Sequence, residues 1–126
     1  MKIVSTQNAP DAIGPYSQAL VHAGIVYTSG QIPLDPQTGK IAGFTIERQA
    51  EQVLRNLSAV LVAAGSSLDL VVKTTCFLSD MALFPAFNSV YEQYITKKPA
   101  RSCVAVKNLP KNVLIEIEAI ALTSKP

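Results

Sequence analysis

Histidine occurs once in this 126-residue chain, cysteine twice, and charged residues make up only 16% of it. Each scarcity closes off a class of chemistry. Two distant cysteines, Cys76 and Cys103, and the lone His22 match no zinc-ligand spacing, so no metal site is expected. His22 falls beside a predicted hairpin, far along the chain from Cys103, which leaves no Cys–His nucleophile pair. The glycine-rich phosphate loop is missing too: "DPQTGK" lacks the earlier glycine and the hydroxyl residue after the lysine. No apolar run reaches the length of a membrane span. The opening "MKIVSTQNAP" has neither the apolar stretch of a secretory signal nor the arginines of a transit peptide. Two cysteines in such a chain do not suggest a disulfide framework, and the expectation is a soluble protein of a reducing compartment, the cytoplasm. A formal net charge of +2 is too small to point to a nucleic acid or a membrane. Linkers, repeats and low-complexity stretches are also lacking, so residues 1–126 are read as one domain.

What is present is apolar patterning: 48% of the residues are hydrophobic. "QALVHAGIVYTSGQ" alternates around Ala23-Gly24 and predicts a hairpin with strands near 18–22 and 25–29, preceded by a strand near 2–5. "TIERQAEQVLRNLSAVLVAAG" is a helix. Ile46, Ala50, Val53, Leu54, Leu57, Val60, Leu61 and Ala64 follow helical spacing, Thr45 is placed to cap it and Gly65 to end it. "LVVKTTCFLS" reads as a strand with Cys76 in the core beside Val72, Thr74 and Leu78. "FPAFNSVYEQYI" is a second helix starting near Phe84, where Pro85 is tolerable, with an apolar stripe of Phe84, Phe87, Tyr91 and Tyr94 and with Asn88 beside it. The order predicts an α+β fold: one mixed sheet with two helices on one face.

The last third reads as two strands around the polar turn "KNLPKN", hence an antiparallel hairpin. Burial then chooses the parity of its register. Ser102, Val104 and Val106 would share the helix-covered face with Val113, Ile115 and Ile117. Arg101, Cys103 and Ala105 would share the other face with Glu118, Glu116 and Leu114. That second face also carries Ile120 and Leu122 with no helix left to cover it, which predicts self-association. Spacing leaves two readings of the Arg and Glu residues open: a cross-strand ion pair or a site. Cys103 by itself reads as a small buried hydrophobe.

In order along the chain, "NAPDAIGPYSQA", "YTSGQIPLDPQTGKI", "VVKTTCFLSD", "PARSCVAV" and "LPKNVLIEIEAIA" resemble the Rid family, the YjgF-type reactive-intermediate deaminases, and within it the archetypal RidA subgroup. The resemblance spans essentially the whole chain. It implies a chorismate-mutase-like fold and a homotrimer with sheets around a central core and clefts between subunits. It also implies hydrolysis of 2-imino acids and their enamine tautomers (2-iminobutanoate, 2-iminopropanoate) to 2-keto acids and ammonia, without cofactor or metal. Carried over by position, the carboxylate-binding arginine falls on Arg101, the pocket cysteine on Cys103 and the water-linked glutamate on Glu116. Tyr16, Ser29, Gly30 and Asn88 complete the implied pocket.

These residue types suit the chemistry. A guanidinium grips a carboxylate through two parallel hydrogen bonds, and a half-buried glutamate of raised pKa can hold water and pass a proton. Backbone N–H groups near Ser29 and Gly30 suit a developing negative charge. Glu118 receives no role by resemblance and is expected to pair with a base or line the trimer interior. One departure stands out: "ITKKPARSC" is short and carries Lys97 and Lys98, where many relatives have an aromatic residue before "PAR". The competing readings are a non-catalytic trimer that binds a small carboxylate, and a chaperone-like or RNA-directed role. The latter leans on the loose cluster Lys97, Lys98, Arg101, Lys107 and Lys111, which a solvated face also explains.

Overall fold

Thr45 opens the long helix as its sequence position suggests. The Thr45 hydroxyl oxygen accepts the Arg48 N–H at 3.2 Å, and α1 runs Ile46–Ala63. Gly65 follows its end in a left-handed conformation, φ 80°. Every residue of the predicted apolar face is buried. Three polar residues lie on that face as well: Gln49, Gln52 and Asn56. All are satisfied. Gln49 donates to the Gly43 carbonyl and accepts from the Leu114 N–H. Gln52 donates to Asn56, which donates in turn to the carbonyls of Ile32 and Leu34. These bonds fasten the loop after residue 30 to the helix.

The computed structural model describes residues 1–124. β1 (Lys2–Val4), β2 (Ala19–His22) and β3 (Ile25–Thr28) form an antiparallel meander. Ala23 and Gly24 turn between β2 and β3 with φ of 51° and 77°, the two-residue turn whose twist matches that of its strands. β4 (Val71–Leu78) leads into α2 (Phe84–Tyr94), with Pro85 in its first turn, then come β5 (Ala100–Ala105) and β6 (Ile115–Leu122). The sheet order is β1-β2-β3-β6-β4-β5. α1 packs on α2, β6 and β3, so both helices cover one face of the sheet. The core between them includes Val26, Leu57, Leu61, Cys76, Leu78, Phe87, Ile115 and Ile117.

The expected hairpin of the last two strands does not form. β4 lies between them, parallel to β5 and antiparallel to β6. A helix between two strands returns the chain so that they can run parallel. α2 does this for β4 and β5, and the loop through Lys111 and Asn112 (φ 57° and 56°) then carries the chain to the far edge of β4. The consequence for side chains is a reversal on β5. Arg101 lies beside Thr74, and Cys103 beside Cys76, whose partners on β6 are Ala119 and Ile117. Arg101 and Cys103 therefore stand on the helix-covered face, and Ser102 and Val104 on the other, opposite to expectation. β6 is as expected: Ile115 and Ile117 face the core, Glu116 and Glu118 the open face. β4 holds a second departure. A bulge between Val71 and Lys73 turns Val72 outward, while Thr74, Cys76 and Leu78 stay buried.

The open face combines Glu116 and Glu118 with Ile3, Leu20, Tyr27, Ile120 and Leu122; of these, Ile3, Tyr27 and Leu122 are exposed. Among the described residues nothing covers it, and no helix is long and apolar enough to cross a membrane.

Candidate functional site

Arg101 comes from the edge strand β5 and meets α2. Its Nη1 donates to Asn88 Oδ1 at 2.8 Å. Its guanidinium carbon sits 4.8 Å from the centre of the Tyr91 ring and 5.4 Å from that of Phe84, within cation–π range of both. Among the described residues no carboxylate pairs with it; the ion pairs there join Glu51 to Arg48 and Arg55 on α1. The cross-strand pair of Arg101 with Glu116 or Glu118 is thereby excluded within one chain, and Glu118 has no basic partner among the described residues. A half-buried guanidinium without a counter-ion is an anion-binding group. It opens on a groove of about 470 Å³ whose walls include Asn88, Glu92 and Lys98. Lys98 takes a left-handed φ of 53° just before Pro99.

Cys103 lies two residues on, half-buried. Burial pushes its thiol pKa up and the Arg101 charge offsets part of this, so the thiol stays protonated at neutral pH. Cys76 behind it is pushed up to about 12, first by burial and then by Cys103. Both thiols are thus held in the protonated, weakly nucleophilic form.

Glu116 belongs to a different cluster. It projects from the open face of β6 against Gly30, and a Cβ on Gly30 would overlap its carboxylate. Burial raises the Glu116 pKa, and the like charge of Glu118 raises it further. Gly30 is held next to β6 because Gln31 exchanges backbone hydrogen bonds with Ile117 at 2.8 and 3.1 Å. Among the described residues its own N–H has no acceptor. Ser29 differs from expectation here: its N–H donates to the Gln18 carbonyl at 2.9 Å and its hydroxyl to the Ser17 carbonyl at 2.6 Å, so only Gly30 offers a free backbone donor. Tyr16, more than half exposed, lines a groove of about 530 Å³ together with Gly30, Gln31 and Lys111.

The residues singled out in the sequence thus form two groups. Arg101, Cys103 and Asn88 stand on the helix side of the sheet, at its β5 edge. Glu116, Gly30, Ser29 and Tyr16 gather about the open face and the β3 end. Phe84, Tyr91 and Thr74 join the first group without having been read as part of it. Phe84 and Tyr91 belong to the apolar stripe read on α2, with Asn88 beside it, but nothing in the sequence says that β5 turns its arginine toward them, and Thr74 on β4 carries no such signal.

The family model described as Endoribonuclease L-PSP matches residues 6–123. The chain belongs to this family, that of the Rid or YjgF-type proteins. A Rid relative from Salmonella typhimurium, named 2-iminobutanoate/2-iminopropanoate deaminase, is 49% identical over 96% of this chain and 97% of its own. A relative from Lactococcus lactis, named putative regulator AldR, is 56% identical over 96% of this chain and 97% of its own. The crystal structure of Escherichia coli TdcF with bound serine superposes with a TM-score of 0.93 at 47% identity, covering 98% of this chain and all of that one. The mixed sheet with two helices is therefore the YjgF fold.

Proposed function

We propose that the chain is a single Rid-type domain that works as a homotrimeric 2-imino acid deaminase, with each active site completed between two copies. The observation that carries this is the division of the chemistry: an arginine with no counter-ion among the described residues and a crowded carboxyl of raised pKa stand on opposite faces of one sheet. One copy would supply Arg101, Cys103 and Asn88, and its neighbour Glu116, Gly30, Ser29 and Tyr16.

In this reading Arg101 binds the substrate carboxylate through two N–H donors while Asn88 occupies a third. Glu116 accepts a proton from water as its oxygen bonds to the imine carbon. Glu116 returns that proton to the imine nitrogen, then moves the hydroxyl proton of the resulting carbinolamine to the same nitrogen as the C–N bond breaks and the C=O bond forms, giving a 2-keto acid and ammonia. The Gly30 N–H and the Tyr16 hydroxyl orient polar atoms of the substrate, and Cys103 is a polarizable wall. The reaction balances with water alone.

The test is keto-acid release from freshly generated 2-iminobutanoate. Wild type should accelerate it, and Arg101→Ala should abolish the acceleration with the fold intact. A folded wild type without effect would favour the second reading, a regulatory trimer that holds a small carboxylate without turnover; the Lactococcus lactis relative is named a regulator.

A further inference from the structure

Arg101 sits on an edge strand, and a long guanidinium side chain there would sample many rotamers, each of which has to be given up on binding. The structure restrains it from one side. Phe84, Asn88 and Tyr91 follow one stripe of α2 and all three touch the guanidinium. Asn88 takes one of five N–H donors, and the rings take none, since they attract the cation through their π faces. The remaining donors are left for a planar anion.

Tyr91 is itself held from beneath. Its hydroxyl and that of Thr74 lie 2.7 Å apart, both residues are buried, and Phe87 leans on the Tyr91 ring at 5.5 Å. Burial raises the Tyr91 pKa, so the phenol keeps its proton. Thr74 is also the direct lateral neighbour of Arg101 across the β4–β5 pairing. A single buried hydroxyl thus sits under both the backbone that carries the arginine and the ring that faces it.

We propose that Thr74 and Tyr91 are positioning residues: their hydroxyl pair locks the ring plane, and the locked ring, with Asn88, holds the Arg101 guanidinium in the orientation that meets a carboxylate with two donors. The proposal rests on the reading of Arg101 as the substrate-carboxylate ligand.

The experiment compares wild type, Thr74→Val, Thr74→Ser and Tyr91→Phe by two readouts: KM and kcat with 2-iminobutanoate, and calorimetric Kd for 2-oxobutanoate. Thr74→Val and Tyr91→Phe should raise KM and Kd about fivefold, with kcat within about twofold. Thr74→Ser, which keeps the hydroxyl, should restore both. The double variant should be no worse than either single one, because both break the same bond. A lowered melting temperature with unchanged KM and Kd would reduce the pair to ordinary packing and overturn the proposal. Should the Thr74→Val variant fail to fold, ¹⁵N relaxation of the Arg101 Nε–H decides on Tyr91→Phe alone: loss of side-chain order is expected, and unchanged order sinks the idea. If order falls in that variant but wild type binds no 2-oxobutanoate, the lock stands and the carboxylate reading fails.

Discussion

The closest approach in the site is made possible by a missing atom. Gly30 does not need glycine for its backbone angle, since its φ lies outside the left-handed region; it needs glycine because a Cβ would enter the space of the Glu116 carboxylate. That carboxylate ends a flexible side chain, so the molecule can accommodate an added methyl by moving it. Gly30→Ala should therefore fold normally by circular dichroism yet lose about a hundredfold in kcat for imine hydrolysis, the penalty of a misplaced reacting group. The proton affinity of Glu116 gives a second test. Its pKa is higher in the folded protein than in the unfolded chain, through burial first and Glu118 second. The folded state thus gains stability from the bound proton at low pH, in full below the ordinary carboxylate range, and loses it as pH rises through the raised value. Glu116→Gln removes that loss. Its melting temperature should exceed that of wild type at neutral pH, with a gap that closes as the pH is lowered through the carboxylate range.

At the level of elements, α1 links core packing to the site. The Asn56 amide reaches the carbonyls of Ile32 and Leu34, so the helix holds the segment that follows Gly30. Asn56→Ala leaves the Leu34 carbonyl without a donor, while the Ile32 carbonyl keeps the Leu34 N–H, and should cost about 1–3 kcal/mol in urea denaturation. The helix itself was legible in the sequence: the 3.6-residue period, Thr45 and Gly65 mark its face and its ends, because each signal is local. Its buried amides were not, since a glutamine on a helix gives no hint of which loop it will meet. The failure at β5 and β6 has the same cause. A polar turn between two strand-like runs looks alike whether the runs pair directly or a strand from earlier in the chain slips between them. "LVVKTTCFLS", rich in β-branched residues, bears no mark of its two neighbours. The face of Glu116 came out as expected because the first half of β6, residues 115–118, alternates between apolar and acidic. The face of Arg101 did not, because β5 has no such contrast: its exposed and half-buried residues are small or mixed. The list of site residues came from resemblance, and no periodicity would have assembled it.

The molecule as a whole presents a sheet face with exposed Ile3, Tyr27 and Leu122 and with two glutamates in its midst, together with a short, unpaired edge at β5. If copies of the chain cover that face and complete each other's sites in a closed trimer, two dead variants should revive one another. Arg101→Ala and Glu116→Gln, unfolded together in equal amounts and reassembled at random, should recover about a quarter of wild-type keto-acid release, since one cleft in four then joins an intact Arg101 to an intact Glu116. A site contained in one chain would recover nothing. The partition of Arg101 and Glu116 between the two sides of the sheet has a further meaning for a cell that makes the protein. On the shared-site reading, a newly released polypeptide, though folded, would be chemically silent until it met others of its kind. Activity per chain would then fall on dilution, and total activity would climb more steeply than gene dosage at low expression.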